Sequence, residues 1–169
     1  PPYTGCFFPP AADPARPSAY SLLWTRDFEY ITEYMYPLFD EQAKQAALSQ
    51  ALYIMTHHQP SIGLTSDEPM FQVKLIVNLA NYTDNQTLFC DHVDQLWTGL
   101  EMIYNSTTFK NDLIWTASTT TGYGFTDSIL KSGHHLFDSV LHAKVLGQLT
   151  EMSERWSCGD PDATRTVRG

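Results

Sequence analysis

Apolar residues recur at helical spacing along most of the chain. The first stripe falls at positions i, i+4, i+7 and i+11 and consists of Trp24, Phe28, Ile31 and Met35. This spacing predicts a helix that ends near Pro37, because a proline cannot continue a helix. The same periodicity predicts a second helix from about Asp40 to His57 and a third helix that follows Pro69.

The second half of the chain combines the clearest helical pattern with one long interruption. A fourth helix is predicted from the apolar positions Phe89, Val93, Leu96, Trp97, Leu100, Ile103 and Tyr104. A polar loop rich in Ser, Thr and Gly is predicted over residues 105–126. A fifth helix follows, which ends near Gly159 and carries the stripe Leu141, Val145, Leu149, Met152 and Trp156. No β-hairpin or βαβ pattern accompanies these helices, so the predicted fold class is all-α.

Composition divides the chain into three regions. The first 20 residues hold six of the ten prolines and predict an extended entry segment. Residues 21–159 are predicted to form one helical domain of antiparallel hairpins, and residues 160–169 a polar tail. No stretch approaches the ~18 consecutive apolar residues of a transmembrane helix, so no membrane span is expected.

The order of the helices predicts where polar residues gather. Short connections favour antiparallel neighbours, so the first, third and fifth helices should run in the same direction. Three polar segments lie at the starts of these helices, at residues 24–27, 66–68 and 122–127. We therefore expect the three segments to meet at one rim of the domain.

These segments contain residue types that suit a sugar. Trp24 offers an aromatic face, while Arg26 and Asp27 offer a donor and an acceptor for neighbouring hydroxyls. A local ion pair at a helix start also explains Arg26 and Asp27. Asp127 follows the glycines and aromatics of residues 122–125, where the pKa of a carboxyl group can rise enough for general-acid work. Asp127 is equally suited to cap a following helix.

The acidic composition narrows the range of partners. The net charge is −9, and the ten Lys and Arg residues are scattered, which argues against a surface for nucleic acid. The histidines lack the spacing of a zinc site, so no metal is expected. No motif of a nucleophilic serine or of a nucleotide-binding loop is present.

Glycosylation motifs and cysteines indicate the compartment. Three sequons lie close together, at Asn81, Asn85 and Asn105. Their density predicts a glycoprotein of the secretory pathway. The cysteines are Cys6, Cys90 and Cys158, an odd set that allows at most one internal disulfide and leaves its pairing open.

Several motifs resemble those of glycoside hydrolases. Residues 20–27, which read YSLLWTRD, resemble the glucoamylase segment YxxxWTRD at the start of an inner helix. Residues 63–71 share the GL and EP-F elements of the glucoamylase stretch GLGEPKF, with three extra residues between them. Residues 123–127, YGFTD, resemble a signature of six-hairpin glycosidases and are similar to the segment around the general acid of trehalases.

The resemblance implies an (α/α)6 toroid that cleaves glycosidic bonds with inversion, by one carboxylic acid and one carboxylate base. Asp127 would then be the general acid that protonates the leaving oxygen. The residues that contact the substrate would be Trp24, Arg26, Asp27, Glu68 and Tyr123. From the residues alone, Glu68 is also explained as part of the polar first turn of a helix. Neither a metal nor an organic cofactor is required by this mechanism.

The chain also departs from that family. A full toroid has twelve helices, whereas the pattern here predicts five, and no residue matches the general base of the family. The expected partners are therefore a carbohydrate and either the remainder of the same domain or another chain. Two alternatives stay open: a non-catalytic secreted helical domain that binds glycans or a protein, and a plain helical interaction domain in which WTRD occurs by chance.

Overall fold

The described part of the chain is mostly helical, as predicted. A computed structural model describes residues 25–57, 67–104, 109–111, 113–116 and 133–159. A short 3-10 turn follows the first helix at Tyr36–Leu38. The helices are α1 (Thr25–Met35), α2 (Glu41–His57), α3 (Glu68–Thr83), α4 (Gln86–Cys90), α5 (Val93–Tyr104) and α6 (Leu136–Trp156).

The predicted fourth helix is in fact two helices, α4 and α5, with a turn at residues 91–92. Asn85 begins α4 as its N-cap, since its Oδ1 accepts a hydrogen bond from the backbone N–H of Leu88 at 2.9 Å. The apolar pattern did not reveal the break because Phe89 and Val93, on either side of it, are both buried.

The prediction of a loop over residues 105–126 and of a chain without strands was wrong in part. Two short strands, β1 (Phe109–Lys110) and β2 (Leu113–Thr116), lie in that region, and β3 (Gly133–His134) precedes α6. The three form a small antiparallel sheet in the order β1-β2-β3. The sheet packs against the helices through Ile114 on β2, which is fully buried.

Helices α1 and α3 run parallel to each other. Near their starts, Arg26 Nη1 lies 3.0 Å from Asp67 Oδ2. Near their ends, the hydroxyl of Tyr82 donates a hydrogen bond to the backbone carbonyl of Glu33 at 2.7 Å. The starts of the two helices are thus in contact with each other, and so are their ends, which makes the helices parallel.

Helix α6 runs in the same direction. Lys144 Nζ lies 3.6 Å from Glu33 Oε1, and Glu33 also binds Lys74 of α3. Close to the end of α6, Arg155 Nη1 donates a hydrogen bond to Asn81 Oδ1 at 3.0 Å, in the last turn of α3. The common direction predicted for these three helices is confirmed.

Helix α2 differs from the predicted antiparallel hairpin, because it packs against α3 and not along α1. Its first turns lie beside Tyr82 and Thr83 at the end of α3. Its last turn reaches the start of α5, where Gln95 Nε2 donates a hydrogen bond to the carbonyl of Met55 at 2.9 Å. The described elements thus give a helical domain, without a complete ring of hairpins among them.

Helix α3 forms the centre of the domain. Its residues 69–77 are all buried, as are Leu79 and Ala80. A helix that is buried on every side must lie inside the protein, and α3 contacts α1, α2, α4, α5 and α6. The core that surrounds it includes Phe28, Ile54, Leu100, Val145 and Leu149.

A disulfide joins Cys90, at the end of α4, to Cys158, just after α6. It decides the pairing that the sequence left open, while Cys6 lies outside the described residues. Among the helices that the structure describes, none is both long enough and apolar enough to cross a bilayer.

Candidate functional site

The starts of α1 and α3 meet through two polar contacts. Arg26 on α1 forms an ion pair with Asp67, the residue before α3, and the two side chains are 15% and 3% exposed. Next to this pair, the hydroxyl of Thr25 donates a hydrogen bond to Glu68 Oε1. Gln72 Nε2 lies 3.3 Å from the same oxygen. Two of the three segments predicted to share a rim therefore lie side by side.

The start of α6 adds a second pair. His135, the N-cap residue of α6, places its Nδ1 3.0 Å from Asp138 Oδ2. Asp138 is 1% exposed, and its charge acts on Asp67. We call Arg26, Asp67, Glu68, His135 and Asp138 the helix-start cluster.

Burial and the neighbouring charges together set the pKa of Asp67. Burial raises the pKa of Asp67 from 3.8 to about 6, because a carboxylate loses its hydration inside the protein. The Arg26 guanidinium opposes that rise, and the nearby charge of Asp138 adds to it. The Asp67 carboxyl group is therefore ionised near pH 7 and takes up a proton as the pH falls through about 6.

The residues predicted to contact a substrate occupy different environments. Arg26 belongs to the helix-start cluster, and Glu68 accepts hydrogen bonds from its neighbours there. Asp27 is exposed in the first turn of α1 and forms no hydrogen bond or ion pair with other described residues. The predicted residues Trp24, Tyr123 and Asp127 lie outside the described residues.

The sequence pattern did not predict that Asp67 and Asp138 belong to this cluster. Asp67 looks like an ordinary polar residue at a helix start, and its partner Arg26 is 41 residues away. The one available signal for Asp138 is its position three residues after His135 in the first turn of α6.

A second polar network lies deeper between α1, α3 and α6. Lys74 Nζ lies 3.0 Å from Glu29 Oε2 and 2.8 Å from Glu33 Oε2. Asn78 Nδ2 donates a hydrogen bond to Glu29 Oε1 at 2.9 Å. Burial raises the pKa of Glu29 from 4.5 to about 7, although the Lys74 charge opposes the rise. Both carboxylate oxygens of Glu29 bind protein groups, so this network links helices and does not present a ligand site.

The sequence pattern did not predict this network either. The signal that could have found it is Lys74, which stands inside the largely apolar run of α3 and is 3% exposed. A buried ammonium group requires carboxylate partners, and Glu29 occupies a fully buried position next to Phe28 on α1.

A cavity among the described residues lies at the opposite end of the domain. It has a volume of about 430 Å³ and opens between the start of α2 and the end of α3. We call it the α2–α3 groove; its lining residues are Tyr36, Pro37, Glu41, Lys44, Gln45, Leu48, Tyr82 and Thr83. The rings of Tyr36 and Tyr82 stack there with centroids 5.4 Å apart. The groove is thus separate from the helix-start cluster and was not predicted.

Two of the predicted glycosylation sites are exposed. Asn81 lies in the last turn of α3. Asn85 caps α4 through its Oδ1, and its amide nitrogen takes no part in the cap. Asn105 lies outside the described residues. Within the described part of the chain, no group of His, Cys, Asp and Glu side chains could hold a metal ion. Comparison with known protein families, characterised proteins and solved structures finds no match to the chain.

Proposed function

We propose that this chain supplies the sugar-binding rim of an inverting glycoside hydrolase of the helical-hairpin type. In this proposal, Arg26 and Asp27 bind hydroxyls of the sugar next to the scissile bond, and Trp24 and Tyr123 line the pocket. Asp127 donates the proton to the leaving oxygen. The carboxylate that activates water comes from outside this chain or from a residue that the motifs do not identify.

The observation that supports the proposal is the ion pair between Arg26 and Asp67. It places Arg26 of the WTRD motif next to Asp67, the residue that precedes Glu68–Phe71, and both motifs resemble glucoamylase segments. An arginine fixed in one orientation suits recognition of neighbouring hydroxyls, because its N–H groups form a planar fork. Asp27, exposed beside it, adds an acceptor on the same turn.

A second candidate is a non-catalytic domain that binds glycans. It is favoured by the burial of the two carboxylates Asp67 and Asp138, which are 2% and 1% exposed. Acids buried to this extent cannot reach a glycosidic oxygen. Among the described residues, the helix-start cluster therefore provides groups for binding and orientation without an exposed acid and base pair.

The proposal includes passage through the secretory pathway. The Cys90–Cys158 disulfide and the exposed sequons at Asn81 and Asn85 support it, because disulfides persist mainly in oxidising compartments. Expression in a eukaryotic host, followed by enzymatic removal of N-glycans, should lower the apparent mass. An unchanged mass would contradict the glycoprotein assignment.

The test of function uses the full chain with maltotriose, cellotriose and mannotriose. Calorimetry measures binding, and chromatography of the products measures hydrolysis. We expect Asp27→Asn to weaken binding about tenfold, since it replaces the charged acceptor of a hydrogen bond. Because Asp27 has no partner among the described residues, the substitution should leave folding intact.

Asp94→Asn is the matched control. Asp94 is also an exposed aspartate in the first turn of a helix, but α5 starts at the opposite end of the domain. Equal losses of binding in both variants would contradict the placement of the site, and no binding to any trisaccharide by the wild-type chain would contradict the function. Binding without hydrolysis would support the second candidate.

A further inference from the structure

We propose that Asp67 is a positioning residue, whose buried carboxylate fixes the direction of the Arg26 guanidinium and thereby controls sugar binding at the start of α1. The inference rests on the proposed function for its ligand. The sequence motifs give Asp67 no role. In this proposal, Asp67 orients Arg26 and does not itself contact the sugar.

The proposal is based on the geometry of the Arg26–Asp67 pair. Asp67 Oδ2 accepts a hydrogen bond from Arg26 Nη1 at 3.0 Å. The Asp67 side chain is 3% exposed, so a sugar cannot reach it, whereas the Arg26 side chain is 15% exposed. Because the guanidinium is planar and rigid, a bond to one nitrogen fixes the directions of all of its N–H groups.

The surroundings of Asp67 explain why it stays in place. Asp67 directly precedes α3, the most deeply buried helix, and its backbone carbonyl accepts a hydrogen bond from the N–H of Phe71 at 3.0 Å. On the neighbouring residue, Glu68 accepts from Thr25 of α1. Two contacts thus join the same two helix starts, so Arg26 cannot turn away from α3 without breaking one of them.

The first experiment needs no ligand. ¹⁵N NMR of the full chain at pH 7 and low temperature resolves the guanidinium nitrogens of an arginine only when its rotation is restricted. We expect separate signals for Arg26 in the wild-type chain and averaged signals in Asp67→Asn. Asp84→Asn is the control, because Asp84 pairs with Arg155 at the other end of the domain and has a left-handed backbone that asparagine tolerates.

The second readout is the pH dependence of these signals, which needs no variant and so remains available if Asp67→Asn does not fold. Among the described residues, the charged groups that act on Asp67 are Arg26 on α1 and Asp138 on α6, and His135 is bound to Asp138. Since burial raises the pKa of Asp67 to about 6, lowering the pH through 6 should average the wild-type Arg26 signals. Separate signals that persist at pH 4.5, or in Asp67→Asn, would overturn the proposal.

The third readout is binding of maltotriose, cellotriose and mannotriose by calorimetry. Asp67→Asn should weaken binding about tenfold through the loss of an oriented hydrogen bond, whereas Asp84→Asn should leave it unchanged. Equal binding by Asp67→Asn and the wild-type chain would overturn the proposal. If the wild-type chain binds none of the three sugars, the proposed function fails, and the guanidinium signals alone support or overturn the positioning of Arg26 by Asp67.

Discussion

Replacement of Glu29 by glutamine should change how the stability of the protein depends on pH. Glutamine has nearly the shape of a protonated glutamate, so Glu29→Gln keeps the side-chain volume and removes the titration. It loses one of the two acceptors that bind Lys74 and Asn78, and this cost is the same at every pH. Glu29 is fully buried between α1 and α3, where it binds Lys74 and Asn78. The loss of hydration on burial outweighs the attraction of Lys74 and raises the pKa of Glu29 to about 7.

The sign and size of the effect follow from that pKa. The folded chain holds the Glu29 proton more tightly than the unfolded chain, whose value is near 4.5. The contribution of Glu29 to stability is therefore fully present below pH 4.5 and is lost as the pH rises to 7. At about 1.4 kcal/mol for each pKa unit, the loss is on the order of 1–3 kcal/mol. Glu29→Gln should become more stable relative to the wild-type chain by that amount between pH 4.5 and 8.

Urea unfolding at pH 4.5, 6 and 8 measures this difference. Comparison of variant with wild type at each pH cancels the other titrating groups, such as Asp67, that both chains share. Glu151→Gln, on the exposed face of α6, is the matched control. A difference for Glu29→Gln that is constant would mean that Lys74 balances desolvation, and one that favours the wild-type chain more at high pH would mean that Lys74 outweighs it. Either result would refute the reasoning.

Three further substitutions test the fold. Removal of the disulfide by Cys90→Ala with Cys158→Ala should lower the free energy of unfolding by about 4 kcal/mol, given a sequence separation of 68 between the cysteines, and a loss under 1 kcal/mol in urea unfolding would contradict a formed bridge. Leu149→Ala should lower the free energy of unfolding by about 3 kcal/mol, because Leu149 is fully buried. An unchanged melting temperature in thermal unfolding would contradict this burial. Asn85→Ala, in chain made without glycans, should cost about 1 kcal/mol through loss of the α4 cap, whereas Asn85→Asp should retain stability; similar unfolding curves for the two would argue against the cap.

The helices could be predicted from the sequence because a helix with one buried face has apolar residues at a period of about 3.6. This holds for α6, whose stripe Leu141, Val145, Leu149 and Met152 is buried. Of the stripe predicted for α1, Phe28 is buried but Met35 is exposed, and the buried face also carries the polar residues Thr25, Glu29 and Thr32. The central position of α3 could not be derived from its periodicity, because residues 69–77 are all buried and not only those on one face. A helix surrounded by others loses the contrast between an apolar and a polar face.

The small sheet was missed because its strands are too short to show an alternating pattern. Leu113–Thr116 has four residues, and Phe109–Lys110 and Gly133–His134 have two each. The clue was local: Asn111 adopts a left-handed backbone at the turn between β1 and β2, a conformation that asparagine accepts readily.

The helix-start cluster was predictable in location but not in its contacts. The common direction of alternate helices places Arg26 and Asp67 at the same end of the domain. Which charges pair there depends on side-chain positions across 41 residues of sequence, and helix order does not encode them. The Glu29–Lys74 pair, 45 residues apart, is a similar case.

The measurement that most directly tests the account is an NMR titration of the ¹⁵N-labelled chain with maltotriose, cellotriose and mannotriose. The central claim is that the starts of α1, α3 and α6 form one sugar-binding site. It predicts changes in backbone amide shifts concentrated at residues 25–28, 68–71 and 136–139 for at least one of these sugars. Changes confined to the α2–α3 groove around Tyr36 and Tyr82, or no changes with any of the three, would contradict it.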